Sequence, residues 1–241
     1  MTDASTAPPQ RVAHEVLSAV FRVSPAGATA ACSGTLEVLL WQRGLAPDQG
    51  AWSLPGGLLD PREDLPTSAR RLLAEKVDLT EVAHLEQFAE FSDPHRVPAS
   101  TDADRTLASV FLGLVRSGTD PRLPDDTTWH PVEALPTMAF DHAAMVHRAR
   151  ARLAARLSYS NIGFALAPRE FPVSQLRDVY VAVLGYPVDA TNLLRILSRR
   201  SVITATGETG QATRGRPPAL YRFTDSYLRI TDEFATLRPP G

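Results

Sequence analysis

The stretch WSLPGGLLDPREDLPTSARRLLAEKVDL, Trp52 to Leu79, decides how the rest of the chain is read. It opens as a turn, because Pro55 stops a helix and Gly56 and Gly57 are free to take positive φ. It continues with helical spacing, with Thr67 or Ser68 as the cap and Leu72, Leu73 and Leu79 as the apolar side. The expected order is strand, glycine loop, helix.

This stretch resembles the Nudix box: Gly, any five, Glu, any seven, then Arg, Glu, aliphatic, any, Glu, Glu, any, Gly, aliphatic. Gly57, Glu63, Arg71, Leu73, Glu75 and Leu79 fall on the pattern without insertion or deletion. Leu72 replaces the first clustered glutamate, Lys76 the last, and Asp78 the glycine. In the family the three glutamates share one helix face, so that their carboxylates converge on divalent cations. Those cations neutralise a pyrophosphate and activate the attacking water. Here that face reads Leu72, Glu75, Lys76, and the only lysine of the chain puts a positive charge where a metal would sit. Two unit charges about 4 Å apart interact by about 4 kcal/mol at an effective dielectric near 20, and a divalent ion is repelled more strongly. The resemblance therefore implies a Nudix fold with no metal, no catalytic residue and no required cofactor, one that binds a nucleotide rather than cutting it. The alternative is an active Nudix pyrophosphatase on an ADP-ribose-type substrate, using Glu63 and Glu75, with an accessory DNA-binding domain.

A chain of 241 residues points to two domains, and 44% hydrophobic residues is enough for ordinary globular cores. The net charge of −2 does not by itself point to nucleic acid, but its distribution is uneven. Residues 1–167 carry 15 Arg or Lys against 20 Asp or Glu, and residues 168–241 carry 10 against 7. The single cysteine, Cys32, excludes an internal disulfide and fits a reducing cytoplasm as a small buried apolar residue. With no signal peptide and no apolar run of membrane length, a cytoplasmic protein is expected.

In chain order, residues 1–10 read as a loose tail, and Val12 to Val23 and Leu36 to Arg43 as strands. After the box, His84 to Phe91, Leu107 to Val115 and Trp129 to Leu135 read as strands, and Phe140 to Leu157 as a helix with Asp141 as its cap. Strands with helices before and after them predict an α/β/α sandwich. A nucleoside diphosphate sugar wants guanidinium forks for its phosphates and a flat partner for its ring. Arg43, Arg62, Arg71, Arg96 and Arg105 are the cations near the expected cleft, with Trp52, Phe88 and Phe91 as ring contacts. The segments around DPHR and DRTLASV resemble the same region of ADP-ribose-recognising Nudix proteins, which favours Arg96 and Arg105. Backbone N–H groups at Gly56 and Gly57 are further phosphate candidates.

Beyond a connection over Ser158 to Arg169 the chain changes character. Pro172 fits a helix start, Val173 to Leu184 carries an apolar stripe, and Gly185 suits its end. Asp189 is a good cap for a second helix, Ala190 to Arg200, with Leu193, Leu194 and Leu197 inward. That leaves Thr191, Asn192, Arg195 and Arg199 on one exposed stripe. Arginine reads guanine and asparagine reads adenine with paired hydrogen bonds, as a recognition helix requires. Ile203 to Glu208 and Leu220 to Phe223 read as paired strands around a basic wing that holds Arg214 and Arg216. Arg195 to Arg222 contains six arginines and one acid, Glu208, which predicts salt-dependent DNA binding.

Together the halves resemble Nudix-related transcriptional regulators of the NrtR type. The resemblance spans residues 12–235 and is carried by WSLPGG with the degraded box, AFDH at 139–142, FPVSQLRDVYVAVLG at 171–185, NLLR at Asn192, and GRPPALYRF at 215–223. It implies an effector-binding domain over 11–157, a linker over 158–169 and a winged helix-turn-helix over 170–236. It further implies a homodimer that represses NAD-biosynthesis genes at a pseudo-palindromic operator and senses ADP-ribose or an NAD-like nucleotide.

Overall fold

A computed structural model describes residues 11–24, 34–98, 103–119, 121–211 and 217–232. The tail over 1–10, Cys32, and the wing residues Arg214 and Arg216 lie outside the described residues, as does the end of the second domain beyond Asp232.

The first half is a mixed sheet between two helices. Its strands are β1 (Val12–Ser24), β2 (Thr35–Gln42), β3 (Trp52–Ser53), β4 (Gly56–Leu58), β5 (His84–Phe91), β6 (Arg105–Leu114) and β7 (Thr127–Pro131). The order runs β3-β2-β1-β6-β5, with β4 paired to β1 and β7 to β2. Among the paired strands of the described residues only β1 and β6 run parallel, from Val12 opposite Arg105 to Phe21 opposite Leu114. These two strands are buried on both faces, so their runs are apolar rather than alternating. Helix α1 (Leu65–Val77) covers one face through Ala69 and Leu72 against Val16 and Phe111. Helix α2 (His142–Tyr159) covers the other, placing Met145, Val146, Ala149 and Leu153 in the main core. The expected α/β/α sandwich is present.

The second half follows the expected plan of helix, capped helix and hairpin. Helix α3 (Val173–Leu184) ends on Gly185 at φ 77, a left-handed turn that glycine adopts without steric cost. Helix α4 (Ala190–Arg199) is capped by Asp189, whose carboxylate accepts from the Asn192 N–H at 2.7 Å. Strands β9 (Ile203–Thr209) and β10 (Ala219–Phe223) pair antiparallel. A short strand β8 (Phe171–Pro172), which the sequence pattern does not reveal, adds to β10 and completes the winged-helix sheet.

The stretch expected as a linker is not an open loop. Ser158 and Tyr159 finish α2, and Ser160 to Ala167 are all buried, with a 3-10 turn at Ile162–Ala165. Ile162, Phe164 and Leu166 join a single hydrophobic cluster that also contains Phe21 and Leu40 of the sheet and Leu176, Val179 and Leu193 of the winged helix. Asn161 closes this junction. Its amide donates to the Tyr227 carbonyl at 2.9 Å, and its side-chain oxygen accepts from the Arg229 N–H at 2.7 Å. Arg200 adds a second tie, donating to the Ser158 carbonyl at 2.9 Å and pairing with Asp232 at 2.6 Å. Asn161→Ala leaves two backbone groups without partners, and each costs about 1–3 kcal/mol. Urea unfolding is expected to show a loss of about 2–4 kcal/mol; a change within the experimental error would refute the role given to this side chain.

Candidate functional site

The box helix begins three residues or more before the start that the spacing predicts. Asp64, not Thr67 or Ser68, is the cap, and its carboxylate accepts from the Thr67 N–H at 2.8 Å. That hydrogen bonding holds the Asp64 carboxyl below its ordinary range. Ser68 is instead buried and donates to Glu63 at 2.6 Å. At the other end Asp78, in the place of the family's glycine, takes the left-handed turn itself at φ 51.

The face that would carry three glutamates has been taken over by packing and ion pairs. Leu72 is 4% exposed and packs with Val16, Ala69 and Phe111. Glu63 accepts from Arg71 Nε at 2.9 Å, and Glu75 from Arg71 Nη1 at 3.0 Å. The Lys76 ammonium lies 5.8 Å from the centre of the Trp41 ring. Arg71 thus joins the two remaining carboxylates into a chain on the helix surface.

The glycines serve the sheet rather than a turn. Gly56 and Gly57 lie in β4 opposite Leu17 and Val16, and neither has a positive φ. A Cβ on Gly56 would stand 2.3 Å from the Val16 carbonyl oxygen, and one on Gly57 would stand 3.0 Å from Leu72 Cδ2. Close strand and helix packing, not approach to a phosphate, accounts for this pair.

Arg96, expected to bind effector, is committed elsewhere. Its side chain is 1% exposed; Nε and Nη2 donate to both Asp141 oxygens at 3.1 and 2.9 Å, and Nη1 donates to Glu15 at 2.9 Å. Asp141 is turned toward Arg96 through both oxygens and makes no side-chain cap bond to α2. The AFDH stretch forms a clasp around this triad. Ala139 donates its N–H to the Trp52 carbonyl at 2.9 Å, Phe140 sits at φ 51, and His142 Nδ1 accepts from the Leu54 N–H at 3.2 Å. Burial, followed by the charges of Arg96 and Arg43, pushes the His142 imidazole down to about 3, so it is neutral.

The other effector candidates separate. Arg43 stacks on Phe140 at 4.8 Å and donates from Nε to the Pro47 carbonyl at 3.1 Å. Trp52 packs edge-on against His130 at 4.4 Å, next in the strand pairing, since the Arg43 N–H donates to the Ala51 carbonyl. Arg105 opens β6 opposite Val12 of β1 and donates to the Ser92 carbonyl. Arg62 is exposed, while Phe88 and Phe91 pack against the core. Arg43 and Trp52 are brought together with the clasp. The clasp had one legible signal, the AFDH motif itself, but no spacing rule assigns Arg96 to Asp141 across 45 residues.

In the second half, Thr191, Asn192, Arg195 and Arg199 are all exposed on α4, while Leu193 and Leu197 are buried beneath them. Arg195 donates to the Asn192 side chain at 2.7 Å. The six-arginine cluster divides. Arg195 and Arg199 stay on this face, Arg200 turns inward to Asp232, and Arg222 points from β10 into a cleft between the halves.

Comparison with known proteins matches these two parts. The NUDIX domain model covers residues 23–149, and the NrtR DNA-binding winged helix domain model covers residues 163–223. The ADPR responsive transcriptional repressor NtrR of Acinetobacter baylyi is 29% identical over 194 residues, which is 79% of this chain and 76% of that protein. The crystal structure of Shewanella oneidensis NrtR complexed with a 27mer DNA is similar with a TM-score of 0.68 at 27% identity, over 87% of this chain and 93% of that one. A MutT/nudix family protein from Enterococcus faecalis, at 20% identity and a TM-score of 0.70 over 90% of this chain and 89% of that one, shares the fold.

Removing Arg96 leaves two carboxylates facing each other without a cation. Arg96→Ala is expected to cost about 3–5 kcal/mol, the range for a broken buried pair. A denaturant midpoint equal to that of the parent chain would contradict the clasp. The lowered pKa of His142 gives a pH test. The unfolded imidazole takes up a proton near 6.5 and the folded one does not, so its contribution is complete above 6.5 and declines as pH falls toward 3. Stability is expected to drop by about 2 kcal/mol between pH 7 and pH 5, a window that lies above the carboxylates. His142→Gln is expected to remove most of that slope, with a remainder from His130, which burial also shifts downward. An unchanged slope in His142→Gln would refute the assignment.

Proposed function

Because the chain belongs to the NUDIX family and carries a winged helix of the NrtR DNA-binding type, we propose that it is an ADP-ribose-responsive transcriptional repressor. The observation that carries this reading is the α4 surface. A capped helix at the second position of a helix-turn-helix presents Asn192, Arg195 and Arg199 outward and anchors itself through two leucines. Those side chains match the donor and acceptor patterns of base edges in the major groove. The Acinetobacter relative is named for ADPR-responsive repression, and the Shewanella one was crystallised with DNA.

On this reading the first half binds its nucleotide without hydrolysing it. A magnesium-type cation wants several free carboxylate oxygens. Here Leu72 offers none, Glu63 and Glu75 are both held by Arg71, and Lys76 adds a like charge. The residues present do not fit the metal centre of the family's enzymes. Arg43 and Trp52, beside Phe140, are the side chains we assign to the effector; Arg96 acts on them indirectly by holding the clasp. The protein works as a homodimer in the cytoplasm on a pseudo-palindromic operator of NAD-biosynthesis genes, with Arg214 and Arg216 on the wing phosphates. Among the described residues no helix is long and apolar enough to cross a membrane.

Gel shifts with the DNA upstream of the gene and its neighbours test the proposal. Arg195→Ala and Asn192→Ala are expected to weaken specific binding roughly 10- to 100-fold and to relax base preference. Unchanged binding by both variants would show that α4 is not the reading helix. ADP-ribose turnover with Mn²⁺ that disappears in Glu75→Gln would overturn the non-enzymatic half of the proposal.

A further inference from the structure

Between the two halves lies a cleft of about 720 Å³ lined by three arginines that come from three separate segments. Arg116 follows β6, Arg169 belongs to the connection, and Arg222 stands on β10 opposite Thr204 of β9. Among the described residues none of the three takes part in an ion pair, although Arg71, Arg96, Arg152, Arg156, Arg200 and Arg229 all do. Among the described residues the one carboxylate lining the cleft, Asp225, is already held by Arg229 Nε at 2.8 Å. Glu81 lines an adjoining cleft of about 340 Å³ that Arg116 and Arg169 also line, and it pairs with neither.

Such a cluster carries excess positive charge in a half-enclosed space. Burial, and then the charge of Arg169, depresses the Arg116 guanidinium below its ordinary pKa, so the two cations repel each other. Arg116 also lies 5.9 Å from the centre of the Phe164 ring, which holds it over the buried connection. Guanidinium groups that line one cleft with no carboxylate paired to them suit a multi-oxygen anion, and phosphate matches their donors in paired hydrogen bonds. The volume fits a ligand of nucleotide size.

We propose that the cleft between Arg116, Arg169 and Arg222 is a second anion site, which binds the phosphate or pyrophosphate group of a small molecule. It is separate from the region of Arg43 and Trp52, and it does not depend on the effector reading given above. Because Arg116 belongs to the sheet half and Arg222 to the wing, a ligand there bridges the two.

Calorimetry of the full chain with inorganic pyrophosphate at constant ionic strength tests this. Saturable binding is expected, at least tenfold weaker in Arg169→Ala and in Arg222→Ala, and unchanged in Arg70→Ala, an exposed arginine of α1 outside both sites. Both substituted side chains are exposed, and circular dichroism checks that each variant keeps its fold. No saturable binding, or binding equal in the two cleft variants and the parent, overturns the site. Variants that keep pyrophosphate binding but lose affinity for duplex DNA overturn it too, since the cluster would then serve the DNA backbone.

Discussion

The constraint on which the rest of the molecule depends is the burial of Ser160 to Ala167, the segment that leads from one half to the other. A loose tether would let the halves tumble independently. Here the connecting residues are themselves core, packed on one side against the sheet strands and on the other against α3 and α4. Asn161 and Arg200 then fix the end of α2 to the segment after the wing. A protein assembled in this way transmits a change at the sheet by moving the winged helix as a body, because packed interfaces shift between discrete arrangements rather than stretching. Helix α2 is the element in position to do so. It touches the Arg96 clasp through Asp141 at one end and the buried connection at the other, and Arg152 and Arg156 hold it to Glu86 of β5. Burial alone would raise the Glu86 pKa, but His84 at 3.5 Å, the hydrogen bond from Arg156 and the charges of Arg156 and Arg152 bring it down to about 2, so this tie stays ionised.

In the Nudix stretch the helix face that carries glutamates in the family is occupied by packing and ion pairs. Leu72 converts a metal-facing position into core, and Arg71 occupies the carboxylates that remain. Asp78 replaces a glycine by accepting a left-handed conformation that costs an L-residue energy. The packing of Gly57 on Leu72 gives the β4 glycines a role that requires no ligand.

Much of this was legible in the sequence. The long apolar strands, the helix capped by Asp189 and the glycine stop at 185 follow local rules, so periodicity and cap chemistry located them to within a residue or two. What stayed hidden depends on partners far along the chain. Arg96 reads as a free cation until the fold brings Glu15 and Asp141 to it, and the connection reads as a loop because its small and polar residues conceal how thoroughly they are enclosed. Of the six arginines between Arg195 and Arg222, the four described ones divide into a solvent-facing pair on α4, an internal tie and a cleft residue. Arg214 and Arg216 lie outside the described residues.

The proposed function rests on a linkage between the two halves, in which nucleotide binding in the first would change DNA binding in the second. Fluorescence anisotropy of a labelled operator duplex, titrated with the full chain at one salt concentration with and without saturating ADP-ribose, measures that linkage directly. A shift of at least tenfold in Kd is predicted, corresponding to a coupling of about 1.4 kcal/mol. Identical curves at saturating nucleotide would contradict it.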